Sequence, residues 1–449
     1  MIGELSAAPP VRRSALDNRR FRTVLLAVAG IPILATYLWQ ALIQPIFFGG
    51  YLGDFQESYM RAATRIAGGQ DPYDLCATMG CLEPTGPQYV MPPVLAWLLQ
   101  PLVGVDAHLI TVGAVLVLNA SLALFIWLAL RALKVEDWQL ATLLVLVALA
   151  FEPVVGNVAE GQVNLVLLGL SGLWFWAWVE GRWWGGAALG AAVALKLIQG
   201  PVALLLLWAR RWAMFAAASA VGLALWLAGA PQYLFEYLFK VLPAVSGGTG
   251  FFENHSPGGT ITRLFDPNTF FAVPGSPAPA RVLTALLAIA ILVFTLRVLR
   301  APAPSALGRS LEAAAIVAAI PLIASYSWGT HLVLLLLPMF VLIVWAMLRR
   351  DWQVLALVAA AWLLIGPGHK LMQALLVSGY SNVAVLRLMA EFGVVGLTAL
   401  WVAALVAVRR SANGLDPAYQ DGPQEQEQNR AREHDPVAAV AVRSVEQVD

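Results

Sequence analysis

Long apolar runs recur along this chain between residues 22 and 408, and they constrain its fold more than any other feature. A run of about 20 apolar residues is the length that an α-helix needs to cross the hydrocarbon core of a bilayer. Hydrophobic residues make up 59% of the 449 residues and charged residues only 12%, with a mean hydropathy of +0.72. This composition excludes an ordinary soluble globule. The sequence therefore predicts an all-α, polytopic membrane protein.

Basic residues at the ends of the apolar runs orient them, because cytoplasmic loops carry an excess of Lys and Arg. The pattern predicts about twelve transmembrane helices, some short, with both termini in the cytoplasm. The expected organisation is a cytoplasmic segment over residues 1–21, a membrane domain over 22–410 and a disordered cytoplasmic tail over 411–449. Two long polar segments, about 48–106 and 231–280, are the expected outer loops.

The first outer loop contains the run GDFQESYMRAATRIAGGQDPY, which predicts a helix over residues 54–66 with a polar and an apolar face. The apolar face comprises Phe55, Tyr59, Ala62 and Ile66, and the polar face comprises Asp54, Glu57, Ser58, Arg61 and Arg65. Such a helix is typical of one that lies on a bilayer surface, with Asp54 at headgroup depth. A carboxylate there is placed to deprotonate a substrate that arrives through the membrane. A simple helix N-cap would select the same residue.

A second feature lies between residues 184 and 209, where the apolar run is too short for two membrane crossings and too long for one. Lys196 and the pair Gly200-Pro201 fall at its middle. We therefore expect a hairpin of two short helices whose apex carries Lys196 into an outer cavity within the membrane. The alternative is a lysine that only extends its charge to the interface.

Several short motifs follow one another in a fixed order along the chain. They are GDFxxSYMRAATRIAGGQDPY, YVMPP, EGQVN, ALKL, ENHS and SYSWGTH. In this order, over roughly residues 54–338, they resemble glycosyltransferase family 87, a branch of the GT-C superfamily. Its best-known members are mannosyltransferases of mycobacterial phosphatidylinositol mannoside synthesis, which take mannose from polyprenyl-phosphate mannose on the outer face. The resemblance implies a metal-independent, inverting transfer with an Asp base in the first outer loop, which is Asp54 here.

The residues are consistent with that chemistry. A sugar on a lipid phosphate already carries a good leaving group, so the carboxylate pair of ordinary glycoside hydrolysis is not required. What the reaction needs is a base for the acceptor hydroxyl, here Asp54, and cations that hold the phosphate. The candidates are Lys196, Arg263 and His331 for the phosphate, Gln162, Asn164 and Asn254 for sugar hydroxyls, and Glu57, Arg61 and His255 for further substrate contacts. No metal or other cofactor is expected.

Each of these side chains also has a purely structural interpretation. Glu57 and Arg61 are spaced for a solvated ion pair on one helix face. Arg263 fits a headgroup anchor, and a histidine at a membrane edge is commonly a structural hydrogen-bonding group. Gln162 and Asn164 fit backbone groups at a helix start. Cys76 and Cys81 lie close together in the first outer loop, which favours a disulfide.

The expected partners are a polyprenyl-phosphate sugar donor, a glycolipid or glycan acceptor and membrane lipids. The net charge of +1 gives no reason to expect a nucleic acid. The expected location is the plasma membrane, with the site extracytoplasmic. One alternative is an enzyme that uses another lipid-linked sugar, such as polyprenyl-phosphate arabinofuranose. The other is a lipid or solute transporter, which would place ionisable groups at the midplane, whereas this chain concentrates them at one face.

Overall fold

The computed structural model describes residues 18–49, 52–73, 89–271, 275–380 and 382–413. Within these ranges the chain forms helices, and the sole β-type contact is an isolated bridge between Thr249 and Gly275. The prediction of an all-α fold is confirmed. The predicted disulfide between Cys76 and Cys81 lies outside the described residues, as do most of residues 1–21 and of 411–449.

The helices are numbered here in chain order. The first nine are α1 (Arg19–Phe47), α2 (Asp54–Met60, continued over Arg61–Ala67), α3 (Pro93–Leu102), α4 (Ala107–Ala132), α5 (Trp138–Leu149), α6 (Glu152–Glu160), α7 (Asn164–Val179), α8 (Gly185–Leu195) and α9 (Leu197–Trp208). The remainder are α10 (Trp212–Ala228), α11 (Pro231–Ser246), α12 (Pro257–Phe265), α13 (Ala278–Leu299), α14 (Ala306–Ile323), α15 (Gly329–Arg349), α16 (Trp352–Ile365), α17 (Pro367–Val377), α18 (Val383–Ala390) and α19 (Phe392–Asn413).

Membrane-length helices dominate the part of the chain that the structure describes. Seven are long and apolar enough to cross a bilayer, or nine if each of two bent pairs is one span. The bent pairs are α5 with α6, at 49°, and α10 with α11, at 98°. Helices α3, α7, α8 and α9 are apolar but shorter. These helices indicate a multi-pass membrane protein, and the larger count of about twelve spans stays a prediction.

Helices α14 and α15 form the centre of the bundle. In their apolar windows 83% and 89% of the residues are buried, against 11% in α1. Side chains such as Val28 and Ile31 of α1 are exposed, which would be unfavourable in water but is expected for a helix that faces lipid. The bundle therefore has a protein-packed interior and a lipid-facing rim.

Helices α8 and α9 form the hairpin that the sequence predicts. The chain breaks at Lys196, whose backbone is extended (φ −159°, ψ 123°) between the two helices. Helix α8 begins against the first turn of α10, because a Cβ on Gly186 would lie 2.0 Å from the carbonyl oxygen of Met214. Since only three residues separate the end of α9 from the start of α10, both ends of the hairpin lie together and Lys196 lies at its apex.

Helix α2 begins at Asp54 as predicted, but its apolar face is covered by protein. Phe55, Tyr59 and Ile66 are buried in the main core, and Ser58, expected on the polar face, is only 4% exposed. The surface-lying helix of the sequence interpretation is therefore wrong. The first seven residues form a π-helical turn, which rotates later side chains away from the 3.6-residue period on which the two faces were assigned.

Candidate active site

Asp54 is half-buried at the start of α2. Its Oδ2 atom accepts a short hydrogen bond from Nε2 of Gln162, whereas no described residue donates to Oδ1. Burial raises the pKa of Asp54 above its ordinary value. The bond from Gln162 and the charge of Lys196 oppose that rise, and the charge of Glu57 adds to it. The result is a carboxyl group with one oxygen fixed and the other able to accept a proton.

The bond to Asp54 is the last link of a network of buried polar side chains. Lys196 donates from Nζ to Oδ1 of Asn164 at 2.9 Å. Asn164 in turn donates from Nδ2 to Oε1 of Gln162 at 3.4 Å. Every bond runs in the same direction, so an ammonium group is connected to a carboxylate through two aligned amides. These four side chains, Asp54, Gln162, Asn164 and Lys196, were all candidates from the sequence, and the structure brings them together.

Tyr59 is a fifth member that the sequence interpretation assigned to the apolar face. Its hydroxyl donates to Oε1 of Gln162 at 2.7 Å. Tyr59 also begins a line of aromatic rings through Tyr89 and Tyr73 to Tyr237 in α11, with centroids 6.3, 5.7 and 6.1 Å apart. One sequence signal could have pointed to this role of Tyr59. It is the only hydroxyl-bearing side chain on the predicted apolar face of α2, and a buried tyrosine hydroxyl usually has a hydrogen-bond partner.

The motif EGQVN positions Gln162 through its glycine, Gly161. Helix α6 ends at Gly161, which has a left-handed backbone (φ +67°). The backbone N–H groups of Gly161 and Gln162 cap the helix by donating to carbonyl groups of Val158 and Asn157. A Cβ on Gly161 would lie 2.5 Å from the Cβ of Phe55. The turn between α6 and α7 therefore packs directly on α2, and this contact holds Gln162 beside Asp54.

His331 lies beside the network at the start of α15. It is buried, its ring centroid is 6.1 Å from that of Tyr326, and its Nδ1 atom has no hydrogen-bond partner among the residues described. It is also close enough to Lys196 to be affected by that charge. The two phosphate candidates Lys196 and His331 are thus neighbours.

The remaining candidates of α2 lie nearer its exposed side. Glu57 is half-buried and acts electrostatically on Asp54, whereas Arg61 is exposed. Glu253, from the loop before α12, also interacts electrostatically with Asp54. Within the described ranges no group of three or more His, Cys, Asp or Glu side chains is arranged to hold a metal ion.

Asn254 holds a loop in place. Its Nδ2 atom donates to the carbonyl oxygen of Thr249 at 2.7 Å, and its Oδ1 accepts from the backbone N–H groups of Ser256 and Ser327 at 3.1 and 2.9 Å. Because the amide is fully buried and bonded on both sides, it is committed to the backbone. The structure thus shows a structural role for Asn254, and the expected sugar contact stays a prediction.

Arg263 supports the same loop from α12. Its side chain is 5% exposed and forms an ion pair with Glu391, with Nη2 and Oε1 2.8 Å apart. Nη1 donates to the carbonyl oxygens of Phe251 and Asn254, each at 3.2 Å. The guanidinium group that was expected to hold phosphate is thus occupied by a carboxylate and the loop backbone.

His255 faces a second histidine. Its ring packs at right angles to that of His369, with centroids 4.5 Å apart, and neither ring nitrogen of His255 has a partner in the described part of the chain. Burial lowers the pKa of His255 well below its ordinary value, and the nearby His369 and Arg263 lower it further. His255 is therefore neutral at pH 7 and lies with Asn254 and Arg263.

Comparison with known families decides what kind of protein carries this network. The sequence model of glycosyltransferase family 87 matches residues 89–325, more than half of the chain. The chain belongs to glycosyltransferase family 87. No curated protein matches it. The matched range includes Gln162, Asn164 and Lys196, whereas Asp54 and His331 lie on either side of it.

Family 87 membership makes this protein a membrane glycosyltransferase and favours bond-making chemistry over the transporter alternative. In such an enzyme the network offers two complementary groups. Asp54 supplies a proton-accepting oxygen, and Lys196 supplies positive charge close by. A carboxylate and a cation within one network can act as a proton acceptor and as a group that stabilises negative charge.

Proposed function

We propose that this family 87 glycosyltransferase transfers mannose from polyprenyl-phosphate mannose to a glycolipid or glycan acceptor, with inversion at the anomeric carbon. The observation that carries the proposal is the continuous hydrogen-bonded connection from Lys196 through two side-chain amides to Asp54. Oδ1 of Asp54 removes the proton of the acceptor hydroxyl while the oxygen of that hydroxyl attacks the anomeric carbon.

Stabilisation of the leaving lipid phosphate is assigned to Lys196 and His331. As the anomeric carbon bonds to the acceptor, its bond to the phosphate oxygen breaks and the lipid phosphate gains a negative charge. In this proposal the buried ammonium of Lys196 stabilises that charge, and His331, which is buried and within electrostatic range of Lys196, offers a ring nitrogen to the same phosphate. A phosphodiester leaves as a weakly basic anion, so no group needs to protonate it.

The proposed site faces the extracytoplasmic side of the plasma membrane. Asn164 begins α7, whereas Arg182 follows the other end of that helix, which is 16 residues or about 24 Å long. Arg210 and Arg211 lie at the same end as Arg182. The positive-inside rule assigns this arginine-rich end to the cytoplasm and the Asp54 end to the outer face.

Asp54→Asn tests the assignment of the base. The amide still accepts the bond from Gln162, so we expect folding to be retained while transfer falls by about 10²–10⁴-fold, the usual contribution of a general base. The assay uses the full chain in vesicles with labelled polyprenyl-phosphate mannose. Asp266→Asn, the same change at a half-buried loop carboxylate after α12, is the matched control. Full transfer by Asp54→Asn would remove Asp54 from this role.

The identity of the sugar rests on the family resemblance and needs a separate test. The wild-type chain is supplied in parallel with polyprenyl-phosphate mannose and polyprenyl-phosphate arabinofuranose, together with a mixture of envelope glycolipids. A mannosylated product, identified by mass spectrometry, is expected. An arabinosylated product instead would overturn the proposed donor while leaving the role of Asp54 intact.

A further inference from the structure

A cavity of about 350 Å³ lies at the end of α7 that is distant from Asn164. It is enclosed by the last turn of α7, the turn into α8 and the first turn of α10. Its principal side chains are Trp178, Arg182, Trp183, Arg210, Arg211 and Trp212. Because α7 is about 24 Å long, this cavity is separate from the network at Asp54.

The side chains that line the cavity carry positive charge, and Glu312 lies close enough to Arg211 and Arg309 to interact with them electrostatically. Three arginines line it, and none of its lining residues is an Asp or Glu. In the described part of the chain, none of the three forms an ion pair with a carboxylate. A fourth arginine, Arg309, lies behind the wall and donates to the carbonyl oxygen of Val179 at 2.9 and 2.6 Å. Like charges around one cavity repel each other, and a bound anion removes that repulsion.

Arg182 and Arg211 are each held against a tryptophan ring, and the guanidinium carbon of Arg182 lies 5.6 Å from the ring centroid of Trp176. The guanidinium carbon of Arg211 lies 5.4 Å from the ring centroid of Trp178. Arg210 has a left-handed backbone (φ +55°) directly after α9, a position where glycine is usual. A positive φ also occurs at Arg300 and Arg350, which follow the ends of other helices and do not line the cavity. Those two residues provide a matched comparison.

The exposed tryptophans indicate which phosphate compound fits the cavity. Trp183 and Trp212 are 64% and 61% exposed at its rim. Indole rings partition to the headgroup region of a bilayer, where they contact glycerol and the first acyl carbons. Arginine adds planar, bidentate donors for phosphate oxygens. A soluble phosphate would use the arginines but not these two apolar surfaces.

We propose that this cavity binds the phosphate headgroup of an anionic membrane phospholipid in the leaflet opposite the Asp54 site. Arg182 and Arg210 bind the phosphate from the exposed side, Arg211 binds it from the inner wall, and the two rim tryptophans contact the glycerol region. The occupant is a structural lipid of the cytoplasmic leaflet and is independent of the sugar donor.

The test measures lipid binding to the full chain. Phosphatidylglycerol is titrated into the purified protein in phosphatidylcholine nanodiscs, and retained lipid is counted by native mass spectrometry. We expect Arg182→Gln with Arg210→Gln to weaken retention about 25-fold, since each basic residue near a membrane surface contributes about 1 kcal/mol, roughly fivefold. The matched control is Arg300→Gln with Arg350→Gln, which should change retention by less than about twofold.

Three outcomes would overturn the proposal. The first is equal retention by the cavity variant and the wild-type chain, and the second is an equal loss in the control variant. The third is displacement of phosphatidylglycerol by inorganic phosphate at the same concentration, which would show that the phosphate alone is recognised. If the double variant does not fold, Arg210→Gln alone is compared with Arg300→Gln. The side chain of Arg210 is exposed, and glutamine keeps its Cβ and hence its backbone preference.

Discussion

The phenolic hydroxyl of Tyr59 donates a hydrogen bond of 2.7 Å to Oε1 of Gln162. Because Oε1 is thereby committed to a donor, the NH₂ group of the same amide must face Asp54. The buried Tyr59 thus sets the orientation of the Gln162 side chain that contacts the proposed base.

Tyr59→Phe should therefore reduce transfer without unfolding the enzyme. With the hydroxyl absent, the amide of Gln162 loses one of its two donors and rotates more freely. We expect kcat to fall about tenfold, equivalent to about 1.4 kcal/mol. Tyr37→Phe is the matched control, because Tyr37 donates to Oδ1 of Asn119 at 2.6 Å between α1 and α4. It should cost similar stability and leave kcat unchanged, and equal losses in both variants would argue against a special role for Tyr59.

The pH dependence of transfer should report the environment of Asp54. Burial raises its pKa and the bond from Gln162 lowers it. Gln162→Met removes the lowering contribution, so the pKa rises further. Asp54 acts as a base only when deprotonated, and the acid limb of kcat/KM should therefore move to higher pH. Gln199→Met, which breaks bonds from the hairpin to Leu167 and Ser171 of α7, should leave the limb in place.

Lys196 should affect both the donor and the base. Lys196→Met removes a charge-assisted contact to phosphate, and we expect the KM for the lipid-linked donor to rise about tenfold or more. The same change removes a positive charge that lowers the pKa of Asp54, so the acid limb should again move to higher pH. Lys240→Met, at an exposed lysine of α11, is the control. An unchanged KM with only a shifted limb would limit Lys196 to tuning Asp54.

Part of this site was predictable from local sequence. The hairpin at Lys196 followed from the length of an apolar run and a Gly-Pro pair at its middle, and Asp54 followed from the first polar helix after the first span. The role of Tyr59 did not, because its hydroxyl bonds to Gln162, 103 positions away, and its place on the apolar face gave no sign of that partner. The bond from Arg263 to Glu391 joins residues 128 positions apart, and such a contact leaves no local pattern.

The ion pair between Arg263 and Glu391 allows a test of whether Arg263 stabilises the fold or binds the phosphate of the donor. Glu391→Gln leaves a nearly buried guanidinium without its counter-charge, and we expect a loss of about 2 kcal/mol in the free energy of unfolding. The KM for the donor should not change, because Arg263 remains bonded to the carbonyl oxygens of its loop. Glu236→Gln, at an exposed pair, should have little effect. A lower KM in Glu391→Gln would instead indicate that the released guanidinium binds phosphate.

Gly161 offers the sharpest test of how the fold positions the site. A Cβ there would lie 2.5 Å from Phe55 and 2.9 Å from Leu52, so Gly161→Ala must separate the α6–α7 turn from α2. The backbone of Gly161 is also left-handed, which disfavours alanine by itself. Gly69→Ala isolates that second effect, because Gly69 has φ +70° and open space around it. Both variants should lose about 1 kcal/mol of stability through the backbone. We expect transfer to fall at least tenfold only in Gly161→Ala, since only there does Gln162 move away from Asp54.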